Sequence, residues 1–270
     1  MISRISTWLH PQKNILPAII RQKALLPVTL LLLAAPETQA DQLSDGRALV
    51  DQLLAQHPTK NFAATGTLEV RDGDGRTTEF PVTFKTIVTN ANWKSVYQAD
   101  EASGTCLLTI VHADGQPDVY YYTHPGPARD PLNGGRPDLA SHFSKLSPQQ
   151  VAVPFAGSDF WLADLGLEFL HWPEQKLLRK EIKRGRGCNV LESTNPDPSA
   201  NDYSRVVSWI DSETGGIVQA KAYVAKNQLL KEFYPKDFKK VDGEWQVGTM
   251  EMDNDQTGSR SRLKFDLSQK

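Results

Sequence analysis

The stretch FAATGTLEVRDGDGRTTEFPVTFKTIV, residues 62–88, decides the fold class. Phe62, Ala64, Gly66, Leu68 and Val70 alternate with smaller or polar residues, the period of two that sends successive side chains to opposite faces of a strand. The alternation breaks at Asp72-Gly73-Asp74-Gly75, where Asp-Gly pairs accept the positive φ of a tight hairpin turn. Calcium loops also use an Asp-x-Asp spacing, but their later ligand positions are missing here. The chain then returns with Phe80, Val82, Phe84, Thr86 and Val88 on one face.

The same pattern extends downstream. Trp93 and Tyr97 mark a third strand, and further strands are expected at 105–112, 118–123, 176–184, 188–193, 204–210, 217–224, 229–238, 244–252 and 260–267. Their separators are turn-forming: Asp114-Gly115, Gly185 to Gly187, Asn195-Pro196, Gly215-Gly216, Asp242-Gly243 and Thr257-Gly258. Connections this short join antiparallel neighbours, because parallel strands need crossovers of a dozen residues or more. Upstream, Ser44 as N-cap and the helical spacing of Leu49, Val50, Leu53 and Leu54 predict one helix ending near His57-Pro58. The expected fold is mainly β: an unclosed antiparallel barrel of about eleven or twelve strands with an N-terminal helix.

Two segments depart from the meander. Residues 125–154 are rich in Pro, Gly, Asp and Ser, long for a connection inside a compact domain and of a kind that often covers a site. Residues 157–172, GSDFWLADLGLEFLHW, are too apolar for a free loop and read as short helical turns capped by Ser158. Phe160, Trp161, Leu165 and Phe169 would form a lid over the concave face, with Gly157 and Gly166 as pivots. A curled sheet of about a dozen strands is wider than its own side chains fill, so helices or a ligand must occupy the interior. Phe80, Val82, Phe84, Trp93, Tyr121, Trp209, Met250 and Met252 are the expected cavity lining, with methionine suited to variable shapes. A one-residue register error would exchange inside for outside.

The chain has 270 residues, 39% of them hydrophobic and 23% charged, enough for one sizeable domain and too apolar for a disordered tail. Arg4, Lys13, Arg21 and Lys23 precede the apolar run from Ala24 to Ala35, and Thr38-Gln39-Ala40 has the small-x-small form of a cleavage site. Residues 1–40 are therefore expected to be a secretory signal cut near Ala40, leaving residues 41–270 as a single exported, periplasmic domain. Removing that segment takes the formal charge from −2 to −5, without the basic footprint that nucleic acid requires. In an oxidising compartment Cys106 and Cys188 either pair, closing a loop of about 80 residues for around 4 kcal/mol, or sit as small buried side chains in separate strands. Two cysteines without CxxC spacing and scattered histidines make no recognisable metal-ligand set. Gly-x-Ser-x-Gly, His-Glu-x-x-His, dinucleotide and P-loop motifs are absent, so no cofactor and no enzymatic activity are expected. Asp159, Asp164 and Glu168 read as caps and helix-end charges, and Lys239-Lys240 and Arg260 to Arg262 as solvated strand edges.

A distinctive series runs through the second half: Gly157-Ser158-Asp159-Phe160, Tyr203 to Asp211 with Glu213-Thr214-Gly215, Asp237 to Trp245, Met250-Glu251-Met252, and Thr257 to Leu263. In this order it resembles the outer-membrane lipoprotein-sorting proteins, relatives of the periplasmic carrier LolA, over residues 157–265. The resemblance implies an unclosed barrel wrapped around helices whose hydrophobic cavity shelters acyl chains between membranes. The implied cargo is an acylated lipoprotein or a lipid, passed from an inner-membrane donor to an outer-membrane acceptor. A sensing or interaction module of the same fold, without transport duty, is the alternative. Trp161-Leu162-Ala163-Asp164 stands where the family carries a more polar sequence, making this lid greasier.

Overall fold

The computed structural model describes residues 38–124, 144–199, 202–241 and 244–267. The expected signal segment up to residue 37 and most of the Pro- and Gly-rich stretch (125–143) lie outside the described residues. One helix, α1 (Gln39–Leu54), precedes the strands β1 (Phe62–Arg71), β2 (Thr77–Val88), β3 (Trp93–Glu101), β4 (Gly104–His112), β5 (Val119–Thr123) and β6 (Ser144–Lys145). A short helix, α2 (Leu162–Gly166), lies between them and β7 (Glu174–Lys183), β8 (Arg186–Thr194), β9 (Arg205–Asp211), β10 (Ile217–Val224), β11 (Gln228–Val241), β12 (Glu244–Asn254) and β13 (Arg260–Asp266). Twelve of these are the strands read from the alternation; the two-residue β6 is additional.

The strands form one antiparallel sheet in the order β6-β5-β4-β3-β2-β1-β13-β12-β11-β10-β9-β8-β7. Each strand neighbours its sequence neighbours, and the two halves are sewn together where β1 pairs with β13, from Thr65 opposite Asp266 to Arg71 opposite Arg260. The chain thus starts at the middle of the sheet, walks to one edge, crosses to the other edge and walks back. The edge strands β6 and β7 do not pair with each other, so the barrel is unclosed.

The helix begins six residues earlier than the Ser44 cap implied. Thr38 is the N-cap, in a reciprocal capping box with Asp41: the Asp41 N–H donates to the Thr38 hydroxyl, and the Thr38 N–H and hydroxyl donate to the Asp41 carboxylate. Asp41 is accordingly held below the usual carboxylate range, first by the Thr38 hydroxyl. α1 lies along β7 and covers the unpaired edge there, with Val50 and Leu53 buried in the core. The close approach depends on Gly46, because a Cβ there would stand 2.5 Å from the Gln175 carbonyl oxygen. Gly46→Ala is therefore expected to lose about 1–3 kcal/mol despite the gain in helix propensity, seen as a lower urea midpoint; a midpoint that rises would show that the helix is not docked on β7.

The main core gathers buried residues from both halves of the sheet and from residues 151–170. Because strands far apart in the order touch one short segment, the sheet must curl around it. A second, smaller cluster of Cys188, Val190, Val207 and Trp209 sits apart from that core, on β8 and β9. No helix among the described residues is long and apolar enough to cross a membrane.

Candidate functional site

The strand order creates the site. After β6 the chain must travel from one edge of the sheet to the other to begin β7, and it does so across the concave face as residues 146–173. Val151 to Trp161 fold back on themselves: the Phe155 N–H donates to the Phe160 carbonyl at 2.8 Å, and the Leu162 and Ala163 N–H groups donate to the Val153 and Val151 carbonyls at 3.0 Å. The reversal uses left-handed residues, Ala156 at φ 49° and Gly157 at φ 63°. Leu167, at φ 57°, ends α2 and starts the 3₁₀ turn Glu168–His171.

This segment is a plug. Phe155, Phe160, Leu162, Leu165, Leu167 and Leu170 are 0% exposed and Phe169 is 5% exposed. Burial of these side chains contributes on the order of 10–20 kcal/mol before the entropy of ordering the segment is set against it. Of the two pivots read from the sequence, Gly157 is left-handed with open space around it, whereas an added Cβ at Gly166 would overlap the Tyr120 hydroxyl. Gly166 is a packing glycine rather than a hinge, and the left-handed turn beside it is made by Leu167.

Two aspartates of the plug bind it to the sheet. The Asp159 carboxylate accepts hydrogen bonds from the Ser259 hydroxyl at 2.6 Å, the Ser261 hydroxyl at 2.8 Å and the Asn254 side-chain amide at 3.3 Å. The Asp159 N–H in turn donates to the Ser261 hydroxyl at 2.8 Å. Two separate parts of the recognised series, residues 157–160 and 257–263, are thus one physical contact. Asp164 accepts from the Trp161 N–H at 2.8 Å, which caps α2, and from the Tyr203 hydroxyl at 3.0 Å. The Lys231 ammonium lies 3.8 Å from Asp164 and 3.7 Å from the centre of the Trp161 ring, which stacks on Tyr203 at 4.4 Å. Burial drives all three titrating groups toward their neutral forms: the Asp164 carboxyl upward, the Tyr203 phenol well upward, and Lys231 down to about 8.

Most of the expected lining is on this face. Val82, Phe84, Met250 and Met252 are buried in the main core and Phe80 packs against it. Trp93 is buried on the same face of β3 as Tyr97, stacked on His112 at 3.7 Å. Two of the expected residues lie away from the main core. Tyr121 stands opposite Thr109, while its neighbours Tyr120 and Tyr122 join the core, so the register is off by one. Trp209 belongs to the separate cluster with Cys188, under the Lys183 ammonium, and donates its indole N–H to Glu181. Among the described residues, a cavity of about 20 Å³ lies between the plug and the sheet beside Asp164, Tyr203, Lys231 and Met252, room for about one water.

Neither thiol is in a disulfide: Cys106 and Cys188 are free, buried in different clusters on β4 and β8, which stand near opposite ends of the strand order. Cys106 donates to Glu101 at 3.0 Å, and burial with that carboxylate pushes the thiol up to about 12. The fold also brings His124 to this pair, with all three donor atoms within 4.8 Å of one another, a juxtaposition that linear spacing hides. At the end of β3 and β4 the Ser95 hydroxyl lies 3.1 Å from His112 Nε2, and His112 Nδ1 lies 2.8 Å from Asp118. This is the order of a nucleophile, base and carboxylate, but Ser95 is 0% and His112 1% exposed. The network satisfies buried polar groups of the core.

The basic residues near the C-terminus are spent on the outer face. Glu251 is bound by Lys236 and Arg262, Glu69 by Arg262 and Lys264, and Asp253 by Arg260. Burial alone would raise Glu251, but the Lys236 and Arg262 hydrogen bonds hold it below the usual carboxylate range. Arg260 and Arg262 thus take part in a cross-strand ion-pair ladder.

A family described only as an uncharacterized protein matches residues 137–269. No curated protein matches the chain. Solved structures do. A domain from Vibrio parahaemolyticus described as an outer membrane lipoprotein-sorting protein domain is 21% identical, with 83% of this chain and 91% of that chain covered at a TM-score of 0.65. A DUF1329 family protein from Desulfovibrio piger is 19% identical over the same shares, at 0.64. A LolA superfamily protein from Nitrosomonas europaea is 19% identical over the same shares, at 0.54. The fold is that of the lipoprotein-sorting, LolA-like proteins, in agreement with the resemblance carried by residues 157–265.

Proposed function

We propose that this chain is a periplasmic carrier that shelters the acyl chains of lipoproteins or lipids on its concave face, exchanging them for its own plug. The observation that carries this reading is what covers that face: a single crossing segment held by side-chain contacts, not a second sheet. A sandwich core cannot be vacated without unfolding, whereas a segment tied at Asp159 and Asp164 can leave with the strand ladder intact. The magnitudes allow exchange. An acyl chain of about sixteen carbons, at about 0.8 kcal/mol per methylene, contributes about 12 kcal/mol on burial, the same order as the plug. The exported location, an inner-membrane donor and an outer-membrane acceptor belong to this proposal, as does a binding rather than a catalytic role. The cavity of about 20 Å³ favours a second reading, in which the same fold serves as an envelope sensor that engages lipid or lipoprotein without carrying it.

The test locks the plug. The Asp159 and Ser261 side chains face each other at 2.8 Å, so Asp159→Cys with Ser261→Cys, in a chain whose Cys106 and Cys188 are alanine, can close a disulfide across the contact. The wild type and the reduced double variant are expected to bind a fluorescent acyl probe. The oxidised form is expected to bind at least about tenfold more weakly, because the plug keeps its burial energy only by staying in place. Equal binding by reduced and oxidised forms would remove the concave face as the site. Absence of binding by the wild type, together with no co-purifying lipid in native mass spectra of protein from envelope extract, would overturn the carrier reading.

A further inference from the structure

The wall behind the plug carries one feature that a purely apolar groove does not need. Lys231 is 2% exposed, and its ammonium has no hydrogen-bond acceptor among the described residues. Its nearest carboxylate, Asp164 at 3.8 Å, is beyond hydrogen-bond distance and already accepts from Trp161 and Tyr203. The ammonium borders the small cavity, whose sheet side apart from Tyr203 is apolar: Val206, Ile217, Ala220, Ala222, Phe233 and Met252. Ala220 and Ala222 are the small side chains of that wall, and Leu167 and Phe169 of the plug line the cavity opposite them. Lys231 belongs to β11 and Asp164 to the plug. When the plug leaves, Asp164 and Asp159, the two carboxylates whose charges act on the ammonium, leave with it, and a cation is uncovered at one end of an apolar groove.

We infer that Lys231 is a head-group site, and that the groove takes an amphiphile with one alkyl chain and an anionic head, a carboxylate or a phosphate, which replaces Asp164 at the ammonium. This rests on the carrier reading and names its ligand class. A neutral chain would bury the ammonium with no counter-charge, the penalised arrangement, whereas an anionic head supplies both the charge and the missing acceptor. Trp161 closes the ammonium from the plug side and leaves with the plug, whereas Tyr203 stays as a hydroxyl donor freed from Asp164 to the incoming head. Selectivity then comes from a stranded cation, discriminating against uncharged competitors.

The test measures displacement of a fluorescent naphthylamine dye by dodecanoate, dodecyl phosphate, dodecanol and acetate, with wild type, Lys231→Met, Lys231→Arg and Asp164→Asn. Wild type is expected to prefer dodecanoate and dodecyl phosphate over dodecanol by roughly tenfold or more, the scale of one buried charged hydrogen bond, and not to bind acetate. Lys231→Met should bring that ratio to about one while keeping the affinity for dodecanol, and Lys231→Arg should retain the preference. Asp164→Asn should strengthen dodecanoate more than dodecanol, because it removes the competing carboxylate. Near-ultraviolet circular dichroism shows whether each variant is folded, and Lys231→Arg carries the test if Lys231→Met is not. Equal wild-type affinity for dodecanoate and dodecanol, or an unchanged preference in folded Lys231→Met, would overturn the head-group assignment and leave the carrier standing. Binding of acetate alone would reduce the site to an anion pocket and overturn the amphiphile. Failure of every alkyl ligand would overturn the carrier reading and this one with it.

Discussion

Asp159→Ala is expected to release the plug while most of the sheet stays folded. The carboxylate holds two hydroxyls, Ser259 at 2.6 Å on the turn between β12 and β13 and Ser261 at 2.8 Å in β13. A hydrogen bond to a charged group contributes about 1.5–3 kcal/mol, so losing both costs about 3–5 kcal/mol, mostly from the local equilibrium that holds residues 153–170 in place. Hydrogen exchange should show that segment losing two or more decades of protection, with little change in the centre of β3. Asp159→Asn keeps the shape and one acceptor oxygen but loses the charge, and should fall between. Protection of residues 153–170 that is unchanged in Asp159→Ala would mean that apolar packing alone holds the plug and that the aspartate is no latch.

The second large effect is expected at Phe160, which is 0% exposed in the main core. Truncation to alanine removes a ring and leaves a void that the surrounding strands fill only in part, for a loss of about 3–5 kcal/mol by urea unfolding. The same variant should take up a naphthalene-sized apolar dye better than wild type does, because the void lies inside the groove. Ile182→Ala, at a position 80% exposed, is the matched control and should stay within about 0.5 kcal/mol. A small loss at Phe160, comparable to that at Ile182, would show that the plug does not contribute to the core and that residues 157–172 are an ordinary surface connection.

Much of the fold was legible because alternation and turn chemistry are local. Residues 62–88 form β1 and β2 around the Asp72 to Arg76 turn, with Gly75 at φ 87°, as the pattern implied. Ile217–Val224 matches its expected strand end to end. The face of each strand was less legible. Tyr120, Tyr121 and Tyr122 are chemically alike, so composition cannot say which of them point inward. In β9 every residue from Val206 to Asp211 is buried, so no alternation is visible and Trp209 gave no sign of lying outside the main core. Lys231 sits in Leu229-Leu230-Lys231-Glu232, which reads as an ordinary half-exposed strand; only pairing with Ala222 on one side and Asn254 on the other, plus the arrival of Asp164, makes it a buried cation.

By itself the sequence determined that this chain builds an antiparallel meander with one helix and a greasy crossing segment, since each of those features is written in residues two to four positions apart. What occupies the hollow was decided only by tertiary structure. The contacts that seat the plug join residues as distant as Asp159 and Ser261, 102 positions apart. Their meeting depends on β1 closing against β13, a pairing of chain ends that no local pattern specifies.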